Sequence, residues 1–150
     1  METPSKKILV TGVAGFLGSH LAENLAKKYK VVGIDNMIGG YKDNVPKNIE
    51  FHNFDCCDLN KMKEAMRDVD VVYHCAATAH EGLSVFSPVE ITKNNYLASV
   101  SVFTAAVANK VKRIIFCSSM ARYGEQSTPF LESMKALPVD PYAISKVAAE

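Results

Sequence analysis

At 150 residues, 48% hydrophobic and 22% charged, the chain is long enough for one domain with its own core, and its composition excludes a disordered polymer. Its 17 basic and 16 acidic side chains leave a formal charge of +1, without the electrostatic excess of a nucleic-acid or membrane-surface binder. The opening METPSKKILV is too polar and short for a secretory signal, and no apolar run reaches the length of a membrane span, so a cytoplasmic location is expected.

KKILVTG predicts a first strand, followed by a helix over 16–29 with Leu17, Leu21 and Leu25 along its apolar face. KVVGID predicts a second strand and IEFHNFD a third, with a short helix around 62–67. VDVVYHCAA is nearly all apolar, as a strand buried on both faces should be. A long helix is expected over 88–109, its stripe formed by Leu97, Val100, Phe103, Thr104 and Val107. VKRIIFCSS predicts a fifth strand, and DPYAISKVAAE opens a helix at Pro141. Strands alternating with helices give an α/β fold with a doubly wound parallel sheet, a Rossmann domain over 1–150. The long loops 39–48 and 123–141 are candidate ligand loops.

TGVAGFLGSH places Gly12, Gly15 and Gly18 between the first strand and the first helix. Glycine there allows a tight turn and lets a pyrophosphate rest against the helix N-terminus. Asp35 ends the second strand, 17 residues beyond Gly18, where a carboxylate can accept hydrogen bonds from a ribose. Together these features indicate dinucleotide binding, and the carboxylate favours NAD over NADP because it repels a 2′-phosphate.

Further along, HCAA, CSSM and the pair Tyr142/Lys146 fall where strand ends and helix starts would converge. An i, i+4 pair shares one helix face, and an ammonium beside a phenol favours the phenolate. With a hydroxyl from Ser118 or Ser119, such a trio suits removal of a proton from an alcohol. Each part also has an ordinary structural reading: Y-x-x-x-K arises by chance, and Ser-Ser is a common loop. Cys75 and Cys117 read as small buried hydrophobes, and all four cysteines, with Cys56 and Cys57, as reduced thiols without zinc-ligand spacing. His74 and His80 lack a metal or triad pattern and read as core or loop histidines.

The ordered strings TGVAGFLGSHLAENL, DN, DCCDL, HCAA, NNYLAS, CSSMARYG and PYAISK resemble the extended short-chain dehydrogenase/reductase family, and within it the NAD-dependent nucleotide-sugar epimerases of the UDP-glucose 4-epimerase kind. The resemblance implies Gly12, Gly15 and Gly18 around the pyrophosphate, with backbone N–H groups of Phe16 and Leu17 as donors. It implies Asp35 and Asn36 at the adenosine ribose, Asp55 and Cys56 at the adenine, Ala76 and Ala77 along the cofactor, and Asn95 in support. Ser119 would be the active-site serine, Tyr142 the acid/base and Lys146 the ribose-binding partner. The reaction implied is epimerisation of a nucleotide-linked hexose at C4 through a 4-keto sugar; a keto-sugar reductase and a non-catalytic NAD-binding fragment are the alternatives.

Met120 and Ala121 follow Ser119 where the family's dehydratases and decarboxylases carry an acid, which sets those reactions aside. Arg122 occupies a usually apolar place, open to a substrate contact or a surface salt bridge, and Ala79 stands where the galactose epimerase type has lysine. The family also implies a homodimer through the 88–109 and Tyr142 helices. It further implies additional strands and a C-terminal substrate domain, so residues 1–150 are expected to be the N-terminal part of a longer enzyme.

Overall fold

The computed structural model of the chain describes residues 6–150. Strand β1 (Lys7–Thr11) leads through helix α1 (Phe16–Leu25) to β2 (Lys30–Asp35) and β3 (Glu50–Asn53), then through α2 (Leu59–Ala65) to β4 (Val71–His74). Helix α3 (Pro88–Ile91), a π-helical segment (Thr92–Leu97) and α4 (Ala98–Ala108) follow one another without a break. Strand β5 (Arg113–Phe116) and helix α5 (Pro141–Ala149) come last. All pairings are parallel, in the order β3-β2-β1-β4-β5. This is the expected Rossmann winding, with its switch point between β1 and β4.

From Ile8 in β1 and Val31 in β2 onward, every residue of these strands is buried. Helices cover both sheet faces, so no side is left for polar alternation. Leu9, Val32, Ile34 and Val72 pack with Met62 and Met66 of α2 and with Ala98, Val102 and Ala105 of α4. On the opposite face Ile8, Val10 and Val31 pack with Val13 and Ala22.

The helices are where the sequence expectation was right and also where it was wrong. The long helix exists, but its sheet-facing side is Ala98, Ser99, Val102, Ala105 and Ala106. Leu97, Val100 and Val107 of the expected stripe are exposed, and Thr104 lies outward with them; only Phe103 packs partly against the core. In α1 the buried residues are Gly18, Ser19 and Ala22, while Leu17 is exposed. Small side chains let each helix axis approach the sheet, and the bulkier apolar residues are left on other faces. The second helix begins at Leu59, earlier than expected, because Asp58 caps it by accepting the Lys61 N–H at 3.1 Å. Among the described residues, no helix is long and apolar enough to cross a membrane.

Candidate functional site

The turn after β1 fixes the site. Gly12 has φ +70°, and a Cβ there would lie 2.8 Å from the Ala76 nitrogen, so a side chain would force β1 and the end of β4 apart. A Cβ on Gly18 would lie 2.1 Å from the Gly12 carbonyl oxygen. The N-terminus of α1 is thereby held against the strand ends, where its first N–H groups have no partner within the helix. Asp35 braces this turn: one carboxylate oxygen accepts the Ala14 N–H at 2.9 Å and the other accepts the Met37 N–H at 2.8 Å.

A cavity of about 350 Å³ opens at this place. It is lined by Gly12, Gly15, Phe16, Leu17, Gly18, Asp35, Asn36, Asp55, Cys56, Ala76 and Ala77, which are the cofactor residues read from the sequence, with Asn95, Tyr142 and Lys146 outside the lining. The sequence reading gave Ile38, Thr78, Asn94 and Ala98 no place in this lining, while Gly40 lies in the candidate ligand loop 39–48. Gly40 had a signal, the glycine pair opening the 39–48 loop: a Cβ on it would meet the Ala14 Cβ at 2.6 Å. Thr78 and Asn94 had none, since their placement depends on each other. Asn94 donates to the Thr78 hydroxyl at 3.1 Å, and its own buried Oδ1 has no partner.

Asn95 stands behind this wall. Its amide accepts the Thr78 N–H at 2.7 Å and donates to the Thr78 carbonyl at 3.3 Å. It lies in the π-helical segment, whose altered turn is a frequent device at functional sites. His74 links this segment to the glycine turn. The Ala76 N–H donates to Thr11 Oγ1 at 3.1 Å, and Thr11 Oγ1 lies 2.7 Å from His74 Nδ1. On the other side His74 Nε2 lies 3.0 Å from Ser99 Oγ, whose proton goes to the Asn95 carbonyl. With the Ser99 proton used, the imidazole must donate from Nε2 and accept at Nδ1 from Thr11. Burial, reinforced by the Lys146 charge, lowers its pKa to about 3, so the ring stays neutral.

Asp140 caps α5 by accepting the Ala143 N–H at 2.8 Å, and Pro141 occupies the first turn. Tyr142 is buried with Ile91, Ala121 and Ala143. Lys146 is almost fully buried; its Nζ donates to the Cys117 carbonyl at 2.8 Å and lies 5.9 Å from the Tyr142 ring centroid. Burial holds its ammonium below the usual pKa, against the opposing influence of the Cys117 and Cys75 thiols. Ser119 caps the short turn Met120–Tyr123 by accepting the Ala121 N–H at 3.2 Å. Neither Ser119, Tyr142 nor Lys146 lines the cavity. Their elements are joined beside it by the Ala121–Tyr142 cluster and by Arg122, which pairs with Glu150 at 2.8 Å. Of the two readings open for Arg122, the structure shows the salt bridge.

The pieces fit a dinucleotide: a glycine cradle that a Cβ would fill, free N–H groups for a diphosphate, a braced carboxylate for a ribose, and alanine walls for flat rings. Residues 8–150 match the model of the NAD dependent epimerase/dehydratase family. A UDP-glucose 4-epimerase of Streptomyces lividans is 34% identical over 97% of this chain and 46% of its own length. A UDP-N-acetylglucosamine 4-epimerase from Methanobrevibacter ruminantium M1, solved with UDP-N-acetylmuramic acid, superposes with a TM-score of 0.92 at 37% identity, over 99% of this chain and 49% of its own. A UDP-glucose 4-epimerase from Brucella ovis, solved with NAD, gives 0.91 at 34% identity, over 97% and 46%. The chain therefore spans about half the length of these relatives. With the sheet order, the glycine cradle and the match across nearly all its residues, the chain belongs to the NAD dependent epimerase/dehydratase family.

Proposed function

We propose that the chain forms the cofactor-binding part of an NAD-dependent epimerase that inverts C4 of a nucleotide-linked hexose through a 4-keto sugar. The observation that carries this reading is the cavity, which gathers the glycine turn, the Asp35 strand end, the DCCD turn and the HCAA segment around one space.

Phe16, Leu17 and Gly18 would meet the pyrophosphate of NAD with backbone N–H groups, and Asp35 and Asn36 the adenosine ribose. Asp55 and Cys56 would flank the adenine, and Ala76, Ala77 and the Asn95-held Thr78 would line the rest. Bound NAD supplies a hydride acceptor that can return the hydride to the opposite sugar face. Tyr142 takes the proton from the C4 hydroxyl and gives one back after the sugar turns over. Lys146 sets the charge beside the phenol and holds a cofactor ribose, and Ser119 donates to the C4 oxygen as charge develops there. The relatives solved or named as UDP-sugar 4-epimerases support a uridine diphosphate sugar as substrate.

The test uses the intact protein with UDP-glucose and UDP-N-acetylglucosamine, following C4 epimers by NMR. Tyr142→Phe is expected to lower kcat about 10²–10⁴-fold while the NAD content of the protein stays unchanged. Full activity in that variant removes Tyr142 from the acid/base role. Stoichiometric NADH consumption with a keto-sugar, and no epimer from any nucleotide sugar, would replace the epimerase with a reductase.

A further inference from the structure

We propose that Cys75 and Cys117 are a site of reversible oxidation, joined as a disulfide by a small peroxide that enters through the cofactor cavity. Strands β4 and β5 run in register from Val71↔Arg113 to His74↔Phe116, and the Cys117 N–H still donates to the His74 carbonyl at 3.1 Å. The next residues in that register are Cys75 and Cys117, so their side chains leave the sheet on the same side. Neighbouring parallel strands lie about 4.8 Å apart, inside the roughly 4.4–6.8 Å Cα window of a disulfide. The two sulfurs already touch through an S–H···S hydrogen bond at 3.6 Å.

Cys75 forms part of the cavity wall, which gives a small oxidant access to the pair. Burial pushes the Cys75 thiol up to about 12, and the neighbouring Cys117 pushes the same way, while the Lys146 charge opposes them. The resting Cys75 thiol is thus protonated, and Lys146, whose Nζ donates to the Cys117 carbonyl at 2.8 Å, is the cation available to a thiolate when one forms. The other two cysteines are arranged differently: Cys56 lines the same cavity but makes no sulfur–sulfur contact like that of Cys75 and Cys117, and Cys57 directs its thiol to the Lys93 carbonyl at 3.4 Å.

In the reaction, one thiolate attacks a peroxide oxygen, the O–O bond breaks, and a sulfenic acid forms as hydroxide leaves. The second sulfur attacks the sulfenic sulfur, the S–S bond forms and the S–O bond breaks. The two protons leave with the two hydroxides, so two thiols and one hydrogen peroxide become one disulfide and two waters. A cofactor seated against Cys75 closes the route, and oxidation is confined to the empty enzyme. This last point rests on the proposed NAD site; the crosslink itself does not.

The intact protein, stripped of nucleotide, is treated with hydrogen peroxide, alkylated, digested and analysed by mass spectrometry. The expected product is a peptide pair joined through Cys75 and Cys117, lost on treatment with dithiothreitol and absent in Cys75→Ser and in Cys117→Ser. At NAD about ten times above its Kd, the crosslinking rate is expected to fall about tenfold. Irreversible sulfinic acids, or prior consumption of Cys56 and Cys57, overturn the proposal. Equal rates with and without NAD overturn the protection. Calorimetric titration of the same sample with NAD separates that result from a failure of the cofactor assignment.

Discussion

His74 shows how much a single side chain can be asked to do without touching a ligand. It is buried, neutral and committed at both nitrogens, to Thr11 and to Ser99. Its folded pKa of about 3 lies below the unfolded 6.5, so as pH falls the unfolded chain takes up a proton first. The stabilisation is therefore complete above pH 6.5 and is lost progressively from there toward pH 3, by up to about 1.4 kcal/mol per pH unit. Urea midpoints measured from pH 7 to pH 4 should fall more steeply for the native protein than for His74→Gln; parallel slopes would remove His74 from the acid response. Gly18→Ala, with its Cβ only 2.1 Å from a carbonyl oxygen, is expected to open the phosphate turn and abolish NAD binding measured by calorimetry. The glycines and Asp35 were legible in the sequence because local spacing alone defines their work. The role of His74 was not, since it depends on partners 63 and 25 positions away.

Among the elements, the five strands and their parallel sheet were legible from the alternation of strand and helix patterns, whereas the helix faces were not. A reading by size puts Leu97, Val100 and Val107 in the core, yet the sheet receives Ala98, Ala105 and Ala106, because close approach needs small residues. No local signal marked the π-helical segment either. Its Asn95 is tied to Thr78 through both amide atoms, and Asn95→Ala should destabilise the fold by about 1–3 kcal/mol, read as a lowered urea midpoint, while weakening NAD binding. The turn carrying Ser119 and the helix carrying Tyr142 are fastened by Arg122, whose Nε lies 3.0 Å from both Glu150 carboxylate oxygens. Burial pushes the Glu150 carboxyl up, but Ser118 and Arg122 outweigh it and leave it below the usual range. Arg122→Met is expected to lower kcat with little change in KM. Exchanging the two charges, Arg122→Glu with Glu150→Arg, should restore part of the loss; no rescue would argue against the pair as a positioning device.

For the molecule as a whole, the outward face of the long helix is apolar where solvent would ordinarily ask for charge: Leu97 and Val100 are exposed, and Val107 is 78% exposed. Ile144 of α5 adds to the exposed apolar surface. A helix apolar on both sides is normally covered on both sides, which fits the homodimer through these two helices that the family resemblance implies. Val100→Glu should convert a dimer of the intact protein into monomer, seen by sedimentation; an unchanged mass would place the interface elsewhere. The parallel sheet has one more consequence, for synthesis on the ribosome. Lys7 pairs with Lys30, but the other side of β1 waits for Val71, the partner of Ile8 and 63 residues further along. At roughly 5–20 residues per second, β1 spends on the order of 3–13 s with one flank open. Among the strand pairings described, the floor of the future nucleotide site is therefore the one that waits longest for its partner during translation.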